Sequence, residues 1–283
     1  SFERSLNIDL KQISFPLVTE INSNLKLWLD ASNPANLLNA DEQPLTSDKE
    51  AFSKWYDQSG NNYDAITESR KRPSWKASLI NSKPGVDLSS STLKIENSET
   101  DFDEWSELHV FGVFQIVNNV TWKRVLGKTS KITSSADTAW HFGVRRGDFD
   151  PPAYFMRARN SGGTDYYKED ANLRTQSLKD DVGLFVMSYG DGAFANKING
   201  TLNASVSASG SIGSLPSEPL KIGQDFSLHL AELLIFEEKL SYDDEQLVEG
   251  YLSHKWALHA KLPNDHPHHK LLNYDEKFVS MEG

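Results

Sequence analysis

Short apolar segments with a period of two residues recur along this chain, and they restrict its fold more than any other feature. They follow one another about every ten residues and are separated by turns rich in Gly, Asn, Asp and Pro. Leu25, Leu27 and Leu29 open the series, and later segments lie at 107–117, 140–146, 153–159, 182–189 and 228–236. Many short strands of this kind predict an all-β fold, a two-sheet antiparallel sandwich or jelly roll.

Local signals predict how some of these strands are joined. Segment 107–117 is almost continuously apolar, as expected of a central strand covered on both faces. Segments 140–146 and 153–159 are expected to be neighbours, because the prolines between them end strand pairing. Asn199-Gly200 is a strong signal for a two-residue hairpin turn.

One helix is predicted near the C-terminus. Ser241 is suited to cap it, and Asp244 stands three residues later, in the capping-box position. An apolar stripe follows, formed by Leu247, Val248, Tyr251, Leu252 and Trp256. Five of the eight histidines lie between 254 and 269 and suggest a zinc or nickel site, but Pro267 in an extended tail does not favour the convergent geometry that a metal needs, and His254 and His259 are expected on the helix surface.

Composition excludes several classes of protein. The 283 residues include no cysteine, and no apolar run is long enough to span a bilayer, so we predict no membrane insertion. A net charge of -11 argues against nucleic-acid binding, which needs a basic surface. We expect one main domain at 21–270, a strap or linker at 1–20 and a tail at 271–283. Because the chain begins at Ser1 without a signal segment, we expect a mature protein or part of a larger one.

Several motifs give the chain a resemblance to a known family. They are LKLWLDASN (25–33), WYDQSGNNYDA (55–65), RPSW (72–75), SKPGVDL (82–88), LKIG (220–223), LAELLIFEEKLSYDDEQLVEGYLSHKW (230–256) and LPNDHP (262–267). In this order they resemble the concanavalin A-like, laminin-G-like jelly-roll domains of large exported bacterial proteins. The resemblance implies two packed antiparallel sheets with ligands on one sheet or on the loops at its rim. It also implies that LPNDHP (262–267) is a structural strap after the helix rather than a metal site. It does not determine function, because this fold carries lectins, adhesion modules, glycosidases and lyases.

The strongest candidate for a binding face lies on the segments 140–146 and 153–159. Alternation turns Trp140, Phe142 and Val144 to one side and leaves His141 and Arg145 on the other; Phe155, Arg157 and Arg159 are expected to share that other face. Four of the nine arginines fall between 145 and 159. Arginines with a histidine and an aromatic ring suit an anionic or polar glycan. The alternative is a solvated face on which the arginines pair with nearby acids.

Aromatic platforms for sugars are the next candidates. Trp28, Trp55, Trp75 and Trp256 belong to motifs that indicate core packing. Trp105 and Trp122 stand beside loops, and we predict that they are the exposed platforms.

Calcium is a possible cofactor at two places. Asp148 and Asp150 share a loop and carry the hard oxygen ligands that calcium prefers. Asp57 and Asn61 follow the spacing of a calcium loop, but that stretch lacks the required glycine at its sixth position. A tight turn that marks the fold is the alternative interpretation there.

The sequence therefore favours a non-catalytic module that binds a polysaccharide or cell-surface glycan, is extracellular or at the cell surface, and belongs to a larger adhesin or polysaccharide-related protein. Two alternatives stay open. One is a glycoside hydrolase or polysaccharide lyase that uses His141, Tyr154 and the arginines of the same face. The other is a structural or assembly module with a large apolar interface.

Overall fold

The computed structural model describes residues 24–68, 71–117, 122–131, 133–146, 153–169 and 181–270. Within these ranges the chain forms strands, two short 3-10 turns and one α-helix. The strands are β1 (Leu25–Asp30), β2 (Leu37–Leu38), β3 (Lys54–Trp55), β4 (Ala65–Thr67), β5 (Ser74–Ile80), β6 (Lys83–Asp87), β7 (Ser91–Ile95), β8 (Leu108–Ile116), β9 (Lys123–Thr129), β10 (Thr138–Arg146), β11 (Ala153–Arg159), β12 (Asp165–Glu169), β13 (Gly183–Gly190), β14 (Ala193–Ile198), β15 (Thr201–Ser207), β16 (Lys221–Phe226) and β17 (Leu228–Phe236). The helix, α1, spans Tyr242–Lys255.

Two antiparallel sheets pack face to face, which confirms the predicted sandwich. The first sheet has the order β15-β14-β13-β8-β17-β6-β5, with β1 also paired to β17. The second has the order β12-β11-β10-β9-β16-β7-β4-β3-β2. A core of buried side chains from both sheets fills the space between them, including Trp55, Trp140 and Phe185. Within the described ranges, no helix combines the length and apolarity needed to cross a membrane.

The structure confirms three local predictions: the central strand at 107–117, the pairing of 140–146 with 153–159, and the hairpin turn at Asn199-Gly200. β8 is buried along nearly its whole length because one face meets the core and the other meets the helix side. β10 and β11 are antiparallel neighbours. Asn199 and Gly200 both have positive φ, 50° and 75°, and turn β14 into β15.

A third layer, α1 and the segment after it, covers the outer face of the first sheet. Val248, Leu252 and Trp256 pack on Phe111 and Leu234 in a second apolar cluster. Ser241 caps the helix by accepting from the amide of Asp244, as predicted. The histidine-bearing segment is a strap on this helix, since His266 Nε2 lies 3.1 Å from Glu249 Oε2 and His254 Nε2 lies 2.9 Å from the carbonyl of His268.

Glu232 fastens the helix layer to the sheet. Its carboxylate is fully buried and accepts from the indole nitrogens of Trp28 and Trp256, both at 2.7 Å, and from the Tyr251 hydroxyl at 2.8 Å. Lys255 supplies the compensating charge at 2.8 Å. Because the two indole nitrogens and the Tyr251 hydroxyl would lose this acceptor without it, the buried acid holds the helix in one position. The helix layer thus covers the outer face of the first sheet, whereas the strands that carry the predicted binding residues, β10 and β11, belong to the second.

Candidate functional site

Strands β10, β11 and β12 bring the predicted residues together on the outer face of the second sheet. In the strand register His141 is opposite Arg157, which is opposite Tyr167. Met156 and Ala158 point into the core, so alternation turns Phe155, Arg157 and Arg159 outward, as the sequence predicted. We call the outward residues of this region, together with one neighbouring tryptophan, the arginine face: Trp122, His141, Phe155, Arg157, Arg159 and Tyr167.

A small aromatic cluster forms the centre of the arginine face. The Phe155 ring centroid lies 5.5 Å from that of Trp122, 5.2 Å from His141 and 5.9 Å from Tyr167. Phe155 and His141 are nevertheless fully buried, whereas Trp122 and Tyr167 are half-buried. The expectation that His141 and Phe155 would contact a ligand at the surface is therefore wrong. The packed rings make them the floor of the site, and Trp122 and Tyr167 its accessible part.

His141 is an unusual floor residue. Neither of its ring nitrogens has a hydrogen-bond partner among the residues that the structure describes. Burial, assisted by the nearby charges of Arg157 and Arg124, lowers the pKa of His141 to about 3. A general base for a lyase should have a pKa near the working pH, so the lowered pKa of His141 does not suit this residue for that role.

Arg157 is held by its neighbours. Its Nε and Nη2 donate to the two carboxylate oxygens of Asp165 at 2.9 and 2.8 Å. The guanidinium also lies 5.6 Å from the Tyr167 ring centroid. The hydrogen bond to Asp165 raises the pKa of Arg157 further. For this arginine the alternative interpretation, pairing with a neighbouring acid, describes the structure.

Arg159 is in a different position, although it lies only two residues further along β11. Its Nε makes one long contact, 3.5 Å, with the carbonyl of Gly163. Asp165 is opposite it in the register, but that carboxylate already binds Arg157. Arg159 ends the strand at the rim of the sandwich, where a ligand can reach it.

Trp105, predicted to be an exposed platform, is a core residue. Only 7% of its surface is accessible, and its ring packs against Phe102 with a centroid distance of 5.2 Å. Lys26 covers it at 5.8 Å. The prediction from its loop position was wrong, because the loop before β8 folds back over the end of the core. The four tryptophans expected to pack, Trp28, Trp55, Trp75 and Trp256, are all buried.

The Asp57 turn is tied to β1. Asp57 Oδ1 accepts from the amides of Trp28 and Ser59 at 2.9 Å, and Oδ2 accepts from the Ser59 hydroxyl and the Tyr63 amide. Asn61 Nδ2 donates to the carbonyls of Leu25 and Lys26. These contacts occupy the carboxylate of Asp57 with donors from the chain itself and support the interpretation as a turn.

Several predicted site residues lie outside what the structure describes. Asp148 and Asp150, the other candidate calcium ligands, fall outside the described residues, as do the proposed end segments 1–20 and 271–283. Arg145 and Tyr154 belong to β10 and β11, but their side chains are outside the described part. Among the described residues, no group of three or more His, Asp or Glu side chains has a metal-binding arrangement.

Sequence reasoning missed Tyr167 and Asn160. Tyr167 alternates with Tyr166 on β12, and Tyr166 is buried while Tyr167 faces outward with Arg157. The alternation of Asp165 and Tyr167 was a usable signal, but only the pairing with β11 shows which face these two residues share.

No protein-family model and no curated protein matches this chain. Solved structures do match its fold. The binding domain of paraclostridial mosquitocidal protein 1 matches with a TM-score of 0.57 and 12% identity over 83% of this chain and 53% of that chain. The botulinum neurotoxin serotype D ligand binding domain in complex with N-acetylneuraminic acid matches with a TM-score of 0.52 and 14% identity over 82% and 52%. The binding domain of botulinum neurotoxin DC in complex with SialylT matches with a TM-score of 0.55 and 12% identity over 82% and 52%.

At this level of identity the similarity shows the fold alone. It places the chain with the β-sandwiches of neurotoxin binding domains, and it does not single out the concanavalin A-like or laminin-G-like family. The chain spans about half the length of each of these three solved structures.

Proposed function

We propose that this chain is a carbohydrate-binding module that binds a glycan on the arginine face. The observation that carries the proposal is the arrangement of Trp122 and Tyr167, half-buried rings on a packed aromatic floor, beside Arg157 and Arg159. Aromatic rings offer an apolar surface to a sugar ring, and guanidinium groups offer paired donors to its hydroxyl or carboxylate groups. Positive side chains on one face are notable in a chain whose net charge is -11.

The solved relatives guide the choice of glycan. One of them was crystallised with N-acetylneuraminic acid, and another, botulinum neurotoxin type C, depends for cell entry on interaction with two ganglioside molecules. Those ligands belong to those proteins, of which this chain spans about half. They nevertheless support testing acidic glycans first, because the carboxylate of such a sugar is a suitable partner for arginine.

The setting of the module is also part of the proposal. We infer that it acts at a cell surface, outside the cell, as one part of a larger protein such as an exported adhesin or a polysaccharide-related protein. The relatives are receptor-binding domains of toxins, and each is about twice as long as the part that matches. Calcium remains a proposal for the loop that carries Asp148 and Asp150. Of the two alternative functions, a glycosidase or lyase and an assembly module, neither has a specific observation in its favour.

Glycan binding by Tyr167→Ala and Tyr242→Ala variants tests the proposal. Tyr242 is 68% exposed on α1, over the other sheet, so its variant removes the same ring away from the arginine face. After a glycan array has identified a ligand, calorimetry should give about tenfold weaker binding for Tyr167→Ala, or ~1.4 kcal/mol, and no change for Tyr242→Ala. Absence of any glycan ligand for the wild type, or equal affinities of the two variants, would refute the proposed site.

A further inference from the structure

Two loops meet beside the end of β11. The first, 160–164, joins β11 to β12 and reads Asn-Ser-Gly-Gly-Thr; the second, 209–213, reads Ser-Gly-Ser-Ile-Gly. The amide of Ser161 donates to the carbonyl of Ser211 at 2.9 Å, which joins them side by side. We call these two segments the rim loops.

The rim loops are rigidly supported from below. Asn160 Oδ1 accepts from the amide of Thr164 at 2.8 Å, and its Nδ2 donates to the Tyr166 hydroxyl at 3.1 Å and to the carbonyl of Ser209 at 2.9 Å. The Tyr189 hydroxyl donates to the same Ser209 carbonyl at 3.1 Å. Both tyrosines are buried, so the loops are fixed to the core and little ordering is left for a ligand to impose.

Charge at the rim is unbalanced. Asp165 is opposite Arg159 in the strand register, yet its two carboxylate oxygens accept from Arg157. In the part of the chain that the structure describes, Arg159 forms no ion pair. Of these three described side chains, two are guanidinium groups and one is a carboxylate, which leaves one positive charge among them.

Arg159 is also accessible from the loop side. Its guanidinium lies against Gly163, where a Cβ atom would meet Nη2 at 3.3 Å. Residues 161–163 are exposed, and within the described residues the amide of Gly162 donates to no other group. The guanidinium fork of Arg159 lies against a loop that also carries the Gly162 amide and the Ser161 hydroxyl, and these are donors that suit a planar sugar carboxylate and its neighbouring hydroxyls.

We propose that Arg159 and the rim loops bind the carboxylate of an acidic sugar, whereas Arg157 positions β12 and does not bind the ligand. This inference rests on the proposed carbohydrate-binding function and specifies its ligand class and its recognition residue. Sialic acids and uronic acids share the required chemistry, so the experiment includes both.

The experiment measures binding to three probes: an oligosaccharide ending in N-acetylneuraminic acid, the same oligosaccharide with that carboxylate reduced to an alcohol, and a glucuronate oligosaccharide. We expect the wild type to bind one of the two acids at least tenfold more tightly than the reduced probe. Arg159→Ala and Arg159→Lys should remove this preference without changing the melting temperature. Arg72→Ala, an exposed arginine on the loop before β5, is the matched control and should keep it.

The outcomes separate the two proposals. If the wild type binds no glycan, the carbohydrate-binding function itself fails. If it binds the acidic and reduced probes equally, or if Arg159→Ala keeps the preference for the acid, the carbohydrate-binding function stands and the role of Arg159 is refuted.

The positioning role of Arg157 is tested by Arg157→Lys. This variant should melt at a lower temperature, because a single ammonium cannot replace the paired contacts of the guanidinium with Asp165. Selective loss of acid binding at an unchanged melting temperature would instead make Arg157 the recognition residue.

Discussion

Burial and ion pairing separate the residues of the arginine face into two groups. His141 and Phe155 are completely buried, and Arg157 is held by Asp165, so these three build the site. Arg159 and Tyr167 retain accessible surface beside it. Alternation along β11 correctly predicted which side of the sheet its residues occupy. It could not predict their exposure, because exposure depends on what packs over that side.

Replacing His141 with leucine should change the pH dependence of stability more than stability at neutral pH. The folded pKa of about 3 is below the unfolded value of about 6.5, so the stabilising contribution of the neutral ring is present above pH 6.5 and is lost as the pH falls towards 3. Wild type should therefore lose about 3 kcal/mol relative to His141→Leu between pH 7 and pH 4.

Denaturant unfolding at both pH values measures this difference. At pH 7 the variant should be about as stable as wild type or more so, since it removes two buried nitrogen atoms that have no partner in the described part of the chain. A parallel decline of the two proteins with pH would show that His141 already titrates normally in the folded state.

Replacing Asp57 with alanine tests calcium against the turn. Its carboxylate accepts hydrogen bonds from two residues that follow it in the turn and from the amide of Trp28 on β1, so Asp57→Ala should cost about 2 kcal/mol or more. The loss should be the same with calcium and with chelator. A large stabilisation of the wild type by calcium that the variant lacks would instead place an ion at Asp57.

Among the elements, helix α1 is held on the first sheet by buried charged groups as well as by its apolar stripe. Glu245 in its first turn lies with Oε2 3.0 Å from His109 Nε2 and pairs with Lys197 of β14. The amide of Leu240 donates to His109 Nδ1, so a neutral His109 carries its proton on Nε2, towards Glu245. The stripe predicted that the helix packs on something apolar. His109 and Lys197 lie on strands distant in the chain, so the sequence of the helix could not predict these contacts.

Glu245→Gln should weaken the protein at neutral pH and much less in acid. Burial raises the pKa of Glu245, but the close contacts with His109 and Lys197 outweigh it and bring the pKa to about 2. Because this is below the unfolded value of about 4.5, the contribution is present above pH 4.5 and is lost as the pH falls towards 2.

The advantage of wild type over Glu245→Gln in unfolding free energy should shrink by about 2 kcal/mol between pH 7 and pH 3. Asp243→Asn, which neutralises an exposed acid in the same helical turn, is the control and should show little change. An advantage of Glu245 that is independent of pH would mean that its ion pairs contribute nothing beyond packing.

At the scale of the whole molecule, each end of the described chain is bonded to the fold. The carbonyl of Asn24 accepts from the amide of Glu237, and the strap covers α1 through His266 and Glu249. Leu258 and Leu262, just after the helix, are buried in the same apolar cluster as Trp256. The domain boundaries predicted from the sequence can therefore be tested as a folding unit.

A fragment spanning 21–270 should unfold in one cooperative transition, because it contains every contact described above. A fragment ending at 257 should melt at a lower temperature, since it exposes the surface that Leu258, Leu262 and His266 cover. Calorimetry of the two fragments provides the comparison. Equal melting temperatures would show that the strap is not part of the folding unit.

The sequence by itself determined the strands, the Asn199-Gly200 hairpin, the capped helix and the packing tryptophans. Such features follow from period, turn chemistry and capping, which act between residues close in the chain. Only the tertiary structure decided that Trp105 is buried, that His141 lies beneath a ring and that Arg157 binds Asp165 while Arg159 does not. Those outcomes depend on which strands become neighbours and which loops lie over them, so two arginines with the same alternation and chemistry acquired different roles.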